Sequence, residues 1–215
     1  MRTCLPAAML AALVLIAPSR GTAGEPVREI YEKMLQTEIE TISRGRQMID
    51  GAVSSHKDAD PKAVESNRKN MNALLEQEAE LEKLARSGDI DARYWEGMWH
   101  YHMGSEYETM FQRIPGQENI RAVMDREYGE AVTWWRPLAE AGSALAQWNL
   151  GQLYVQGRGV PKSPSNAIDW YYRAAAQFRK AGDREHALMV LDNMREIDEA
   201  NPLTKEVYRS LYPGH

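Results

Sequence analysis

The chain repeats itself. Shifted by 54 positions, it aligns Leu84-Ala85 with Leu138-Ala139, Gly88 with Gly142, Ala92 with Ala146, Tyr94 with Trp148 and Gly97 with Gly151. A shift of 36 brings Ala131 onto Ala167, Trp134 onto Trp170 and Ala139 onto Ala175. Self-similarity at a period of about 20 to 50 residues is the mark of stacked units, each burying its apolar face only against the next. The residue types at these positions fit that architecture. Glycine inside a helix costs about 1 kcal/mol relative to alanine, so Gly97 and Gly151 make sense where a neighbouring helix comes too close for a side chain. Ala92, Ala139, Ala146 and Ala175 serve the same packing. Tryptophans fill the wider gaps, and all six (Trp95, Trp99, Trp134, Trp135, Trp148 and Trp170) fall between residues 95 and 170.

Two further segments precede the repeats. Met1-Arg2 leads into an uncharged run from Leu5 to Ala17, then small and helix-breaking residues up to Gly24. This is the layout of a secretory signal peptide; the run falls short of the roughly 20 apolar residues that span a bilayer. Cleavage is expected near Ala23 or Gly24. It would remove Arg2 and Arg20, taking the formal net charge from −5 to −7, and with them Cys4, the sole cysteine. The mature chain would then be an exported protein held by core burial, without disulfides. Cys4 precedes the apolar run, whereas a lipid-modified cysteine should follow it.

From Val27 to about Ile49, apolar residues at Val27, Ile30, Tyr31, Met34, Leu35, Ile39 and Ile42 recur three and four apart, predicting an amphipathic helix. Asp60-Pro61 reads as an N-cap with proline at the first helical position, opening a second helix that ends near Gly88. Gly182-Asp183 closes one helix and caps another, and Asn201-Pro202 starts a terminal helix ending before Pro213.

The stretch from Ala131 to Gly142 (AVTWWRPLAEAG), then Ala146 to Tyr154 (AQWNLGQLY), Gly157-Arg-Gly-Val160 and Ala167 to Ala175 (AIDWYYRAA) resembles the Sel-one-like repeat family, relatives of the tetratricopeptide repeats. The copy at 81 to 104 departs from the pattern, with Glu96 where the second has Leu150 and His100 where it has Tyr154. Pro137 replaces a helix-favouring residue and is expected to kink or restart its helix. The last segment drifts toward a plain tetratricopeptide pattern through Ala175, Phe178, Gly182, Ala187, Leu191 and Met194. The fold expected is all-α: a signal peptide at 1–24, an N-terminal helical hairpin at 25–78, a short α-solenoid at 79–201 and a C-terminal capping helix at 202–215. Within the solenoid, 105–128 is an insert whose Ile120, Val123, Met124 and Tyr128 suit a short amphipathic helix that covers the core or binds something.

Chemistry finds little support in the residues. His100 and His102 are two apart on a helix and point in different directions, unlike the i, i+4 pair that grips zinc. The motifs of a zinc protease, a phosphate loop and a nucleophile elbow are absent. Gly157-Arg-Gly159 lies between helices and reads as the tight turn of the repeat. No catalytic residue, metal site or cofactor is assigned, and the acidic charge balance argues against nucleic acid.

The tetratricopeptide resemblance implies a groove lined by Tyr94, Met98, Tyr101 and His102, continued by Trp148, Gln152, Val155 and Gln156. Tyr94 and Trp148 are the expected anchors for a protein or peptide partner. The reading is an exported, periplasmic or secreted, non-enzymatic adaptor that scaffolds or regulates an envelope complex or signalling protein, with no stable membrane insertion. Two alternatives stand beside it: a self-assembling structural envelope protein, which leaves the oligomeric state open, and a small envelope hydrolase with carboxylates of raised pKa under the insert.

Overall fold

A computed structural model describes residues 25–55, 60–113 and 116–213. The expected signal peptide lies outside them. The described residues form eight helices and no strand: α1 (Glu25–Ser55), α2 (Pro61–Ser87), α3 (Ile90–Arg113), α4 (Glu118–Glu140), α5 (Ala144–Gln156), α6 (Pro164–Lys180), α7 (Arg184–Asp198) and α8 (Pro202–Leu211). The protein is all-α, with helices joined in sequence as a solenoid of repeats requires. Two compact units divide within α3, one running to Trp99 and the other starting at His100.

In the N-terminal unit, α1 and α2 pack as a hairpin. The Asp60 carboxylate accepts from the Lys62 N–H, Pro61 opens α2, and Gly88 closes it at φ 105°. Val27, Tyr31, Met34 and Leu35 of α1 meet the side of α2 that carries Leu74, Leu81 and Ala85; all are buried. The first turns of α3 join this core, with the rings of Tyr31 and Trp95 at 4.6 Å. Trp99 Nε1 donates to Glu78 Oε1 at 3.2 Å.

The C-terminal unit chains its helices antiparallel, α4 on α5, α5 on α6, α6 on α7 and α7 on α8, with α8 also reaching α6. The turns before α5 and α7 are built alike. Ala141-Gly142-Ser143 and Ala181-Gly182-Asp183 each end a helix with glycine, and the next side chain then caps the following helix, Ser143 accepting from Ala146 N–H and Asp183 from His186 N–H. Each such cap is worth about 1 kcal/mol. The core runs from Trp148 through Ile168, Tyr171, Phe178, Leu191 and Met194 to Leu211.

Gly151 shows why the repeat needs glycine in mid-helix: a Cβ there would lie 2.4 Å from two ring carbons of Tyr171 on α6. The same contact recurs between α3 and α4, where a Cβ on Gly104 would lie 2.8 Å from the Tyr128 ring. Gly104 sits one heptad beyond Gly97, and the 54-residue shift sets it against Arg158, not against a second glycine. The insert at 105–128 is not a separate short helix over the core. Its residues extend α3 to Arg113 and begin α4 at Glu118, lengthening both arms of one hairpin. Nor does Pro137 restart α4, which continues through it to Glu140 without the one bond that an N–H at 137 would have made to the Thr133 carbonyl.

Candidate protein-binding surface

The structure separates the eight residues expected to line a groove. Tyr94, Met98 and Trp148 are buried, at 5%, 3% and 3% exposure. Trp148 is a stacking residue between repeats. Its ring meets Phe178 of α6 and His186 of α7 at 6.1 and 6.0 Å, edge-on, and Nε1 donates to Asn193 Oδ1 of α7 at 2.7 Å. The expectation of an open anchor at Trp148 is therefore corrected, because α7 covers the face that the resemblance assigned to the groove. Tyr94 and Met98 are likewise core positions of the N-terminal unit. Tyr101, His102, Gln152 and Val155 are half-buried and Gln156 is exposed.

On α5, burial of Ala146, Gln147, Trp148, Leu150, Gly151 and Leu153 leaves one outward row. Asn149, Gln152 and Gln156 follow each other at three and four positions, which is one helical face; Leu145, one turn earlier, packs against the core. Asn149 was missed in the sequence, although its spacing from Gln152 carried the signal.

A second element lies where this row ends. Gly157 and Gly159 take φ 75° and 66°, and a Cβ on Gly159 would stand 2.3 Å from the Tyr128 carbonyl oxygen. Only glycine lets the turn rest on the α4 backbone in this way. Between them Arg158 reaches across to α3 and α4. Its guanidinium bonds the Glu108 carboxylate, donates to Gln156 Oε1 at 2.7 Å and to the Tyr101 hydroxyl at 3.3 Å, and lies 5.1 Å from the centre of the Tyr128 ring. The Tyr128 hydroxyl donates to Glu108 Oε2 at 2.9 Å. Burial, ahead of the Glu108 charge, pushes that phenol well above its ordinary value despite Arg158, so it stays a neutral donor. The wall so formed, with Arg121, Met124 and Asp125 opposite, encloses an open cleft of about 450 Å³.

The helix–turn–helix from α5 into α6, with Gly151 against Tyr171, is also where a known family matches: residues 144–177 fit the Sel1 repeat. This segment is a Sel1 repeat. Curated relatives include chitin synthase regulatory factor 3 of Schizosaccharomyces pombe, 41% identical over 72 residues, which is 33% of this chain and 7% of that protein. No solved structure matches the chain significantly. Sel1 repeats, like the tetratricopeptide repeats to which they are related, serve protein interaction, which gives the outward row and the cleft beside it their interest.

Ahead of the Sel1 repeat, His100 and Glu127 bridge α3 and α4, Nδ1 to Oε2 at 2.8 Å, with Arg126 on the other carboxylate oxygen at 2.8 Å. The hydrogen bond from His100 leads in holding the Glu127 carboxyl below its usual range, against the opposing effect of burial. A general acid needs the reverse. Asp91, at the first turn of α3, is shifted up by burial and by Asp89. Among the described residues no group of three or more histidine, cysteine, aspartate or glutamate side chains is placed to hold a metal ion.

The Glu127 shift has a pH consequence. A carboxylate with a lowered folded pKa stabilises the fold above its unfolded pKa, about 4.3, and loses that contribution as pH falls through the folded value. Glu127→Gln is therefore expected to lower stability at neutral pH, with the gap to wild type closing below about pH 4. Urea melts across pH measure it; a gap that stays constant into acid would show that the ion pair contributes nothing.

Proposed function

We propose that the protein is a non-catalytic adaptor of a bacterial cell envelope, exported by the segment at 1–24, which holds a protein partner against the outward row of α5 and the cleft beside it. The observation that carries this reading is the division of labour on α5. Its aromatic and aliphatic side chains are consumed by stacking, while Gln152 and Gln156 bring amides to the surface that can pair with an extended chain, Gln156 through its NH2 since its oxygen accepts from Arg158. The charges of Glu108, Arg121, Asp125 and Arg158 at the end of that row favour one register over another. The S. pombe relative is named a regulatory factor, which accords with an adaptor acting through other proteins. No described helix is long and apolar enough to cross a membrane.

Replacing Gln152 and Gln156 together by arginine tests this. Both side chains are partly or fully exposed, so the variant is expected to keep the helical circular dichroism of wild type. In a crosslinking pull-down from the envelope fraction, wild type should capture a defined protein, and the variant should lose at least about tenfold, the cost of one interface hot spot. Unchanged capture by the folded variant would place the contact elsewhere.

A further inference from the structure

Within the C-terminal unit the α5 row has a counterpart on α7. Aligned at their N-caps, Ser143 and Asp183, the two helices set Asn149, Gln152 and Gln156 against Met189, Asp192 and Glu196. Glu185 and Glu199 extend that row at either end, and the spacing of four, three, four and three puts all of it on one helical face. Every member is exposed, while Ala187, Val190, Leu191 and Met194 on the opposite face are buried. The α5 row carries no charge; the α7 row carries four carboxylates around one apolar side chain, Met189. Among the described residues only Arg195 pairs with any of them, 3.0 Å from Glu199 and 3.9 Å from Asp192. Glu185 and Glu196 form no ion pair with a described residue.

An acidic face could serve solubility alone, but a buried donor opens beside this one. Tyr171 of α6 is 2% exposed, and its ring runs past Gly151 of α5. Burial first, then Tyr101 of α3 and Glu196 of α7, push its phenol well above the ordinary value. The hydroxyl is thus protonated at neutral pH and lies where α3, α5 and α7 converge. It makes no hydrogen bond with another described residue. Tyr128, which packs against Gly104 as Tyr171 does against Gly151, gives its proton to Glu108. A buried donor is costly to leave unpaired, so Tyr171 offers a proton to an acceptor brought from outside. A peptide carries such acceptors as main-chain carbonyls, and lysine or arginine side chains on the same peptide answer the carboxylates.

Building on the α5 row as the binding surface, we propose that the partner presents a basic segment, with lysine or arginine side chains on Asp192 and Glu196 and a main-chain carbonyl on the Tyr171 hydroxyl. Met189 packs against the alkyl stem of one of those side chains, and the Gln152 and Gln156 amides meet the same segment from α5.

Titration calorimetry of the purified protein with two dodecapeptides, one alternating lysine and alanine and the other glutamate and alanine, tests the chemistry. The lysine peptide should bind and the glutamate peptide should not. Asp192→Asn with Glu196→Gln should weaken the lysine peptide by about fivefold or more. Asp169→Asn with Glu140→Gln removes the same charge from exposed positions on α6 and α4 and should change it by less than about twofold. Tyr171→Phe should cost about threefold in affinity with no fall in melting temperature, because its hydroxyl bonds to nothing in the fold. No binding of the lysine peptide, equal binding of both peptides, or equal loss from the two charge pairs would overturn the basic partner. Unchanged affinity in Tyr171→Phe would overturn the role of the hydroxyl. The envelope pull-down keeps this reading apart from the one beneath it. Capture lost with the Gln152 and Gln156 arginine variant but kept with Asp192→Asn and Glu196→Gln would leave the α5 row standing and overturn the basic segment; capture indifferent to both would overturn the row itself.

Discussion

Gly151→Leu is expected to unfold the C-terminal unit at ordinary temperature. Even the first atom of the new side chain would stand 2.4 Å from two ring carbons of Tyr171, and that ring is itself buried and cannot swing away. Extra atoms forced into a packed core cost about 1–3 kcal/mol, and leucine adds four carbons where not one fits. The alanine variant isolates the cause. Gly151→Ala gains about 1 kcal/mol of helix propensity and should still lose stability, because the clash is already complete at Cβ. Gly129 in α4 supplies the contrast, since a Cβ there meets nothing within 4 Å. Gly129→Ala should stabilise by up to about 1 kcal/mol, or roughly 2–4 °C in melting temperature for a chain of this size. Thermal and urea melts of the pair are expected to move in opposite directions. A Gly151→Ala variant more stable than wild type would show that α5 and α6 do not approach as described.

The second large effect is at Trp148. Truncation to alanine removes a 3%-exposed indole, its contacts with Phe178 and His186 and its hydrogen bond to Asn193. Large-to-small changes of this kind cost about 3–5 kcal/mol, a large share of the roughly 5–15 kcal/mol that holds a domain together. Trp148→Phe should keep most of the packing and lose about 1 kcal/mol with the hydrogen bond. If Trp148→Ala were to melt within a degree of wild type while losing partner capture, Trp148 would be an exposed anchor after all.

The contrast between Trp148 and Gly151 shows where sequence reasoning reached and where it stopped. Helix ends were legible because they are local: Asp60-Pro61, Gly88, Gly182-Asp183 and Asn201-Pro202 all act within one turn of the boundary they set. The role of Gly151 was legible because glycine in mid-helix is costly and calls for a reason. Trp148 was not. Periodicity fixes which face of α5 it occupies, but whether that face meets solvent or the next repeat depends on how α7 lands, some 45 residues later. The cleft was hidden for a related reason. Arg158 and Glu108 lie 50 residues apart, and they meet only because the insert lengthens two helices instead of looping out. The glycines of the turn before α6 could be recognised as a turn; their resting on the Tyr128 carbonyl could not.

If the outward row of α5 carries a partner, site-specific photocrosslinking in the living source cell should trap it there. A photoreactive residue would replace Gln152, on that row, or Asp169, exposed on α6 of the same repeat. The expected result is a single envelope-protein adduct from position 152 and none from 169. No adduct at 152, or the same adduct from both positions, would contradict it.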